Sequence, residues 1–212
     1  MIIRRFKVED SIELASVIAK TLRITNIKDY SKEYIENDIS FLTAEKLIER
    51  SKWTNMYVAC DGDMIIGCGA IGPYWGKEDE SSLFTIFVLP EYQGKGIGRK
   101  IIETLEQDEY FLRAKRIEIP ASITAVNFYI KMGYNYKNGN DKLDDEKLYR
   151  LEKFRKIDWY NWIRKYNLRG DYNGVLEINN WLFIFIKEEL EYILLWLSRC
   201  FKIFINKGRR GL

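Results

Sequence analysis

Leu83-Phe84-Thr85-Ile86-Phe87-Val88-Leu89-Pro90-Glu91-Tyr92-Gln93-Gly94-Lys95-Gly96-Ile97-Gly98 passes from a strand pattern into a helix pattern through a glycine-rich turn. The first six residues are β-branched or aromatic and stop at Pro90, which reads as a buried strand. Beyond the turn, Ile101, Ile102, Leu105 and Leu112 recur at helical spacing among Lys100, Glu103, Glu106, Gln107 and Glu109. Glycine at every second position, 94, 96 and 98, leaves backbone N–H groups uncovered where the helix begins. Those groups and the helix dipole form an anion site, most naturally for phosphate, and Lys95, Arg99 and Lys100 add positive charge there.

The spacing narrows the ligand. A P-loop needs four residues between its first glycine and a Gly-Lys-Ser/Thr, which this stretch lacks. A dinucleotide fingerprint needs a third glycine where Arg99 stands. That fingerprint does occur upstream, as Gly67-Cys68-Gly69-Ala70-Ile71-Gly72 after the strand-like Met64-Ile65-Ile66, but Pro73, Tyr74, Trp75 and Gly76 follow it. No helix N-terminus is available there for a pyrophosphate, so these read as strand glycines at a bulge or a crowded backbone contact.

Composition fits a soluble enzyme with one good core: 212 residues, 47% hydrophobic and 31% charged. Strand-like Ile2-Ile3-Arg4-Arg5 has no signal-peptide pattern before it, so the expected location is the cytoplasm. Cys60, Cys68 and Cys200 lack metal-site spacing and read as reduced thiols, so no metal is expected. The chain has no histidine. Ser-His and Cys-His nucleophile systems are therefore excluded, and a general base has to be a carboxylate, Tyr, Lys or water.

The remaining pattern alternates. A strand at 2–7 leads to a helix capped by Asp10, with Ile12, Leu14, Ala15, Ile18 and Leu22 apolar. A helical stretch over 31–53 is interrupted near Ser40, with Thr43 as a second cap. A hairpin pairs 56–60 with 64–71 around Asp61-Gly62. After the glycine turn and its helix come a strand at 115–119, a short helix at 123–132, and strands at 134–136 and 147–154.

Val88-Leu89-Pro90-Glu91-Tyr92-Gln93-Gly94-Lys95-Gly96-Ile97-Gly98 closely resembles the acyl-CoA loop of the GCN5-related N-acetyltransferases (GNAT family), Gln/Arg-x-x-Gly-x-Gly/Ala at a helix start. One helix and one strand later, Ala125-Val126-Asn127-Phe128-Tyr129-Ile130-Lys131-Met132-Gly133-Tyr134 is similar to that family's Ala-x-x-Phe-Tyr-x-Lys-x-Gly-Phe segment. The resemblance covers about residues 2 to 154. It implies an α/β (α+β) fold, a mixed and mostly antiparallel central sheet flanked by helices, over residues 1–155.

The activity it implies is acetyl transfer from acetyl-CoA to a primary amine of a small molecule or protein, by direct attack in a ternary complex. By the same resemblance, the backbone of Ile86, Phe87 and Val88 pairs with the pantetheine. Gln93, Gly94, Lys95, Gly96, Ile97, Gly98 and Arg99 hold the pyrophosphate. Tyr129 stands where the family often places a proton donor to the departing thiolate, with aromatic packing as the alternative role. Two positions depart from the pattern. Ser82 replaces the glutamate that often acts as base, and Ser122 replaces an asparagine. Glu118 matches a glutamate used by the family's ribosomal-protein acetyltransferases, and a solvent-edge carboxylate is its other reading. Glu80 or a water chain are further options.

Tyr30, Tyr34, Trp53, Tyr74, Trp75 and Phe84 could line an acceptor slot, although core packing suits most of them. The near-neutral domain suggests no nucleic acid partner. An idle acyl-CoA sensor or protein-interaction module is the alternative to an enzyme, and the missing glutamate at Ser82 keeps it open.

Residues 156–212 have a different character. Four of the six tryptophans fall there, Trp159, Trp162, Trp181 and Trp196. The pattern predicts a helical C-terminal extension, with a longer helix from Asn180 to Lys207 whose apolar face is wide. Such a face would pack on the domain, form a homodimer or lie on a membrane surface. Lys187, Glu188, Glu189 and Glu191 argue against a transmembrane segment.

Overall fold

The computed structural model describes residues 1–155. Its elements are β1 (Ile2–Arg5), α1 (Ser11–Ile24), α2 (Lys32–Ser40), α3 (Ala44–Ser51), β2 (Asn55–Asp61), β3 (Met64–Tyr74), β4 (Lys77–Val88), α4 (Ile97–Leu105), α5 (Glu109–Arg113), β5 (Arg116–Ala121), α6 (Val126–Lys131), β6 (Asn135–Tyr136) and β7 (Tyr149–Phe154). The predicted C-terminal extension, with its dimer reading, lies outside the described residues. Among the described residues no helix is long and apolar enough to cross a membrane.

The strands form one mixed sheet in the order β1-β2-β3-β4-β5-β7-β6. Every pairing is antiparallel except β4 with β5. That parallel pairing covers only Glu80–Ser82 against Arg116–Glu118. Beyond it the two strands no longer pair, and the edge of β4 from Leu83 to Val88 turns to a cleft instead of to β5. The expected mostly antiparallel sheet with flanking helices is thus observed, and its one parallel seam is where it opens.

Three glycines on β3 sit at crowded contacts, and Gly69 is the one that lets a helix approach the sheet. A Cβ on Gly69 would lie 2.5 Å from Ile101 Cγ2 and 3.0 Å from Leu105 Cδ1, both on α4. On Gly67 it would lie 2.8 Å from the Phe87 carbonyl oxygen, and on Gly72 2.8 Å from Thr54 Cγ2. The apparent nucleotide fingerprint is therefore a packing device: α4 buries Ile101, Ile102 and Leu105 in the common core. From α1, Leu14, Ile18 and Leu22 join that core, with Leu47 of α3.

Opposite Gly69, β4 carries a bulge. Ala70 pairs with Phe84 and Cys68 with Phe87, so Thr85 and Ile86 both face Gly69. Thr85 has φ 53°, a strained value for a β-branched residue. Its carbonyl accepts from the Cys68 thiol at 3.0 Å, and its hydroxyl accepts from Arg50 Nη1 of α3.

Two local expectations need correction. Asp10 precedes α1, but its carboxylate makes no capping bond; it accepts from Arg4 at 2.7 and 2.8 Å and from the Lys7 N–H at 2.8 Å. The part-exposed Arg4 guanidinium on β1, bonding both carboxylate oxygens, outcompetes the α1 amides for it. The expected helix through Leu112 also breaks after Leu105. Asp108 caps a new helix, α5, by accepting from Tyr110 N at 2.9 Å, and it takes donors from Asn55 and the Tyr57 hydroxyl at 3.0 and 2.7 Å.

Candidate active site

The turn leaving β4 shows why each glycine is there. Gly94 and Gly96 have φ of 75° and 80°, and a Cβ on either would meet nothing within 4 Å. Conformation alone demands glycine at these two positions. Gly98 has no such constraint, but its Cβ would lie 3.2 Å from Phe128 Cζ, so the Phe128 ring would have to give by a few tenths of an ångström to admit a side chain. Gly96 is the N-cap of α4, and no side chain caps that end. The first N–H groups of α4 are left to a ligand or to water.

Gln93 ties the turn to its surroundings: its Nε2 donates to the Val88 carbonyl at 2.9 Å and to Thr25 Oγ1 at 3.1 Å. Lys95 differs from the sequence reading. Its ammonium sits 4.9 Å over the Tyr92 ring, and it is not among the residues lining the cleft.

The cleft, of about 700 Å³, runs from this turn along the free edge of β4. Ile86, Phe87, Val88, Gln93, Gly94, Gly96, Ile97, Gly98 and Arg99 all line it, as the sequence reading expects. Opposite them stand Pro120, Ser122 and Thr124, then Phe128 and Tyr129 of α6. Tyr129 is 4% exposed and packs edge-on against Phe128 at 5.1 Å and Tyr134 at 6.2 Å. Its hydroxyl has no hydrogen-bond partner among the described residues. Burial pushes its pKa well up, with Cys68 adding to the effect, so the phenol is a proton-bearing group at neutral pH.

Glu118 is elsewhere. It is buried at 3% exposure, and its Oε2 accepts from Arg116 Nη1 at 2.8 Å and from Lys137 Nζ at 2.6 Å. Arg116 also holds Glu152 at 3.3 Å, and Glu80 through its Nε at 3.0 Å, while stacking 4.9 Å over the Tyr74 ring. Burial would raise the Glu118 pKa, but the two cations outweigh it and hold the carboxyl below its ordinary range. Neither Glu118 nor Glu80 lines the cleft. Ser82, at the position of the expected family glutamate, is buried and donates to the Glu118 carbonyl at 3.1 Å, closing the end of the parallel seam.

Two residues that the sequence did not single out line the cleft from the α1–α3 side. Asp38, near the end of α2, is the one carboxylate among the described lining residues. Burial raises its pKa, and Glu146 reinforces the shift. Arg50, at the end of α3, has no carboxylate within ion-pair distance among the described residues; Thr85 Oγ1 accepts its side-chain bond. Burial lowers its pKa. Around them lie Phe41, Leu42, Phe84 and Leu148. Of the six aromatics that could have lined an acceptor slot, Phe84 lines the cleft and the other five do not, as core packing for most of them would have it. Trp53 packs edge-on against Phe84 at 5.2 Å, Trp75 is 70% exposed, and Tyr30 and Tyr34 stack on each other at 4.7 Å. No short-range motif marks Asp38 or Arg50, because each matters only through the strand it faces.

Residues 52–136 match the acetyltransferase (GNAT) domain model. No curated protein sequence matches the chain. Among solved structures, PaiA N-acetyltransferase from Thermoplasma acidophilum in complex with coenzyme A is 24% identical, with a TM-score of 0.62, covering 73% of this chain and 98% of that one. A GCN5-related N-acetyltransferase structure from Rhodopseudomonas palustris is 21% identical, TM-score 0.59, covering 73% and 95%. A GNAT family acetyltransferase from Brucella melitensis in complex with acetyl-CoA is 21% identical, TM-score 0.50, covering 74% and 89%.

Proposed function

From the premise that this chain belongs to the GNAT acetyltransferase family, we propose that it transfers the acetyl group of acetyl-CoA to a primary amine by direct attack in a ternary complex. The observation that carries this reading is one continuous cleft. It begins at the uncapped N-terminus of α4, follows the unpaired edge of β4, and reaches the unpartnered Tyr129 hydroxyl.

In this reading the pyrophosphate of acetyl-CoA takes the N–H groups of α4, beside Arg99. Its pantetheine lies along Ile86–Val88 as an added strand, so main-chain groups supply orientation. The amine nitrogen attacks the thioester carbonyl, forming N–C as C–S breaks. The departing thiolate takes the Tyr129 phenol proton, which solvent later replaces. The amine proton passes to a base, and Asp38, directly or through water, suits this role better than Glu118. A carboxylate with a raised pKa facing the cleft can accept a proton; one locked between two cations is a weak base.

Purified protein with acetyl-CoA and a panel of amines, followed by thiol release, tests the proposal. Tyr129→Phe is expected to lower kcat about 100-fold with acetyl-CoA affinity retained. Normal CoA binding without turnover of any amine would favour the acyl-CoA sensor instead.

A further inference from the structure

The lining of the cleft includes one carboxylate, Asp38, and Arg50, which reaches the β4 bulge through Thr85, and neither has an ion-pair partner among the described residues. Asp38 accepts no side-chain hydrogen bond and has no ion-pair partner among the described residues. Arg50 spends one N–H on Thr85, and the rest of its guanidinium fork has no acceptor among the described residues. Elsewhere in this domain partly buried cations have acids beside them: Arg4 has Asp10, Arg116 has three glutamates, Lys153 has Glu106 and Arg150 has Asp144. A partly buried guanidinium without one is costly unless a ligand supplies the anion.

The ligand in question is the acceptor, which rests on the reading of the cleft as an acetyltransferase site. We propose that the acceptor is an amine that also carries a carboxylate, namely an amino acid. Arg50 takes its carboxylate. Charge and shape support this over two alternatives. A polyamine would place a second cation against Arg50. A phosphorylated amine would bring two negative charges to a wall with a single arginine and an aspartate. A fork fixed at one nitrogen still presents paired N–H groups, which match the two oxygens of a carboxylate. Phe41, Leu42, Phe84 and Leu148 also line the cleft, so an apolar side chain suits the remaining space.

Arg50 also braces Thr85, whose φ of 53° shapes the edge of β4. The test must therefore separate recognition from bracing. The probes are phenylalanine and leucine, each against its decarboxylated amine, phenethylamine and isoamylamine. Wild-type kcat/KM is expected to favour the amino acid by about 100-fold, since a site built for a polar group rejects a ligand lacking it. In Arg50→Gln that preference should collapse to about threefold or less, mostly through KM, with Arg50→Lys intermediate, while acetyl-CoA affinity by calorimetry stays within about threefold. Equal treatment of acid and amine by the wild type overturns the proposal. So does an Arg50→Gln defect that falls alike on both probes or on acetyl-CoA binding.

Titration of phenylalanine into the CoA-loaded protein reads the same contact without turnover. Binding that is lost in Arg50→Gln supports the Arg50 contact even if no amine is acetylated, in which case the acetyltransferase reading alone fails. No binding of phenylalanine or leucine to the loaded wild type refutes it.

Discussion

Replacing Glu118 by glutamine separates a structural carboxylate from a catalytic one. The wild-type side chain is 3% exposed and takes charge-assisted bonds from Arg116 at 2.8 Å and Lys137 at 2.6 Å. Breaking a buried pair by removing one partner costs about 3–5 kcal/mol. Three features reduce this. Glutamine keeps one acceptor oxygen, Arg116 retains Glu80 and Glu152, and Lys137 is 30% exposed and can turn to solvent. A loss of about 2–3 kcal/mol remains, which for a domain of this size lowers Tm by roughly 5–10 °C.

The pH dependence has a definite sign. Cations hold the folded-state pKa of Glu118 below its ordinary value of 4.5, so its contribution is present above that value and is lost as pH falls through the folded-state pKa. Thermal or urea unfolding of wild type and Glu118→Gln should therefore differ fully at pH 7 and converge as pH falls below 4.5 through the folded-state pKa. Per folded molecule, turnover should change by no more than about threefold, because the carboxylate does not face the cleft. Unchanged stability with a collapse of kcat would refute this reasoning and return Glu118 to the role of base.

Asp38→Asn should act in the opposite direction. Burial raises this pKa, so the protonated form is favoured in the fold, and that stability is lost as pH rises from about the ordinary 3.8 through the folded-state value. Asparagine removes the cost, and unfolding at pH 7 should show a gain of up to about 1 kcal/mol together with a fall in kcat; a loss of stability would contradict it. Gly69→Ala places a carbon 2.5 Å from Ile101 Cγ2, and overpacking of this kind costs about 1–3 kcal/mol by chemical denaturation. An unaltered midpoint would mean that α4 moves freely on β3. Gly96→Ala must hold a left-handed conformation at about 1 kcal/mol or more and should weaken acetyl-CoA binding about tenfold, whereas Lys95→Ala should leave affinity within about threefold. Equal losses in calorimetry would show that the Lys95 side chain, and not the turn's backbone, grips the cofactor.

Local chemistry fixed what could be read along the chain. Strand and helix periodicities around residues 83–112 located the turn, and alternating glycines announced exposed N–H groups, because backbone conformation depends on near neighbours. The same locality exposed Gly67, Gly69 and Gly72 as strand glycines, although only the fold shows that Ile101 and Leu105 of α4 crowd Gly69, the nearest atoms at Gly67 and Gly72 belonging to Phe87 and Thr54. Asp108 was legible as polar but not as the residue that ends one helix, since its partners Asn55 and Tyr57 are some fifty positions away.

Charge roles were the least legible. Glu118 on a central strand invites a catalytic reading until Arg116, two residues back on the same strand, and Lys137, nineteen residues on, are seen to pair with it, while Arg116 also holds Glu80 of β4. Asp38 and Arg50 carry no motif, yet the parting of β4 from β5 after Ser82 and Glu118 puts them on the wall of the cleft. A carboxylate or guanidinium takes its energy from whatever lies within a few ångströms in space, and that distance is set by the packing of the whole sheet.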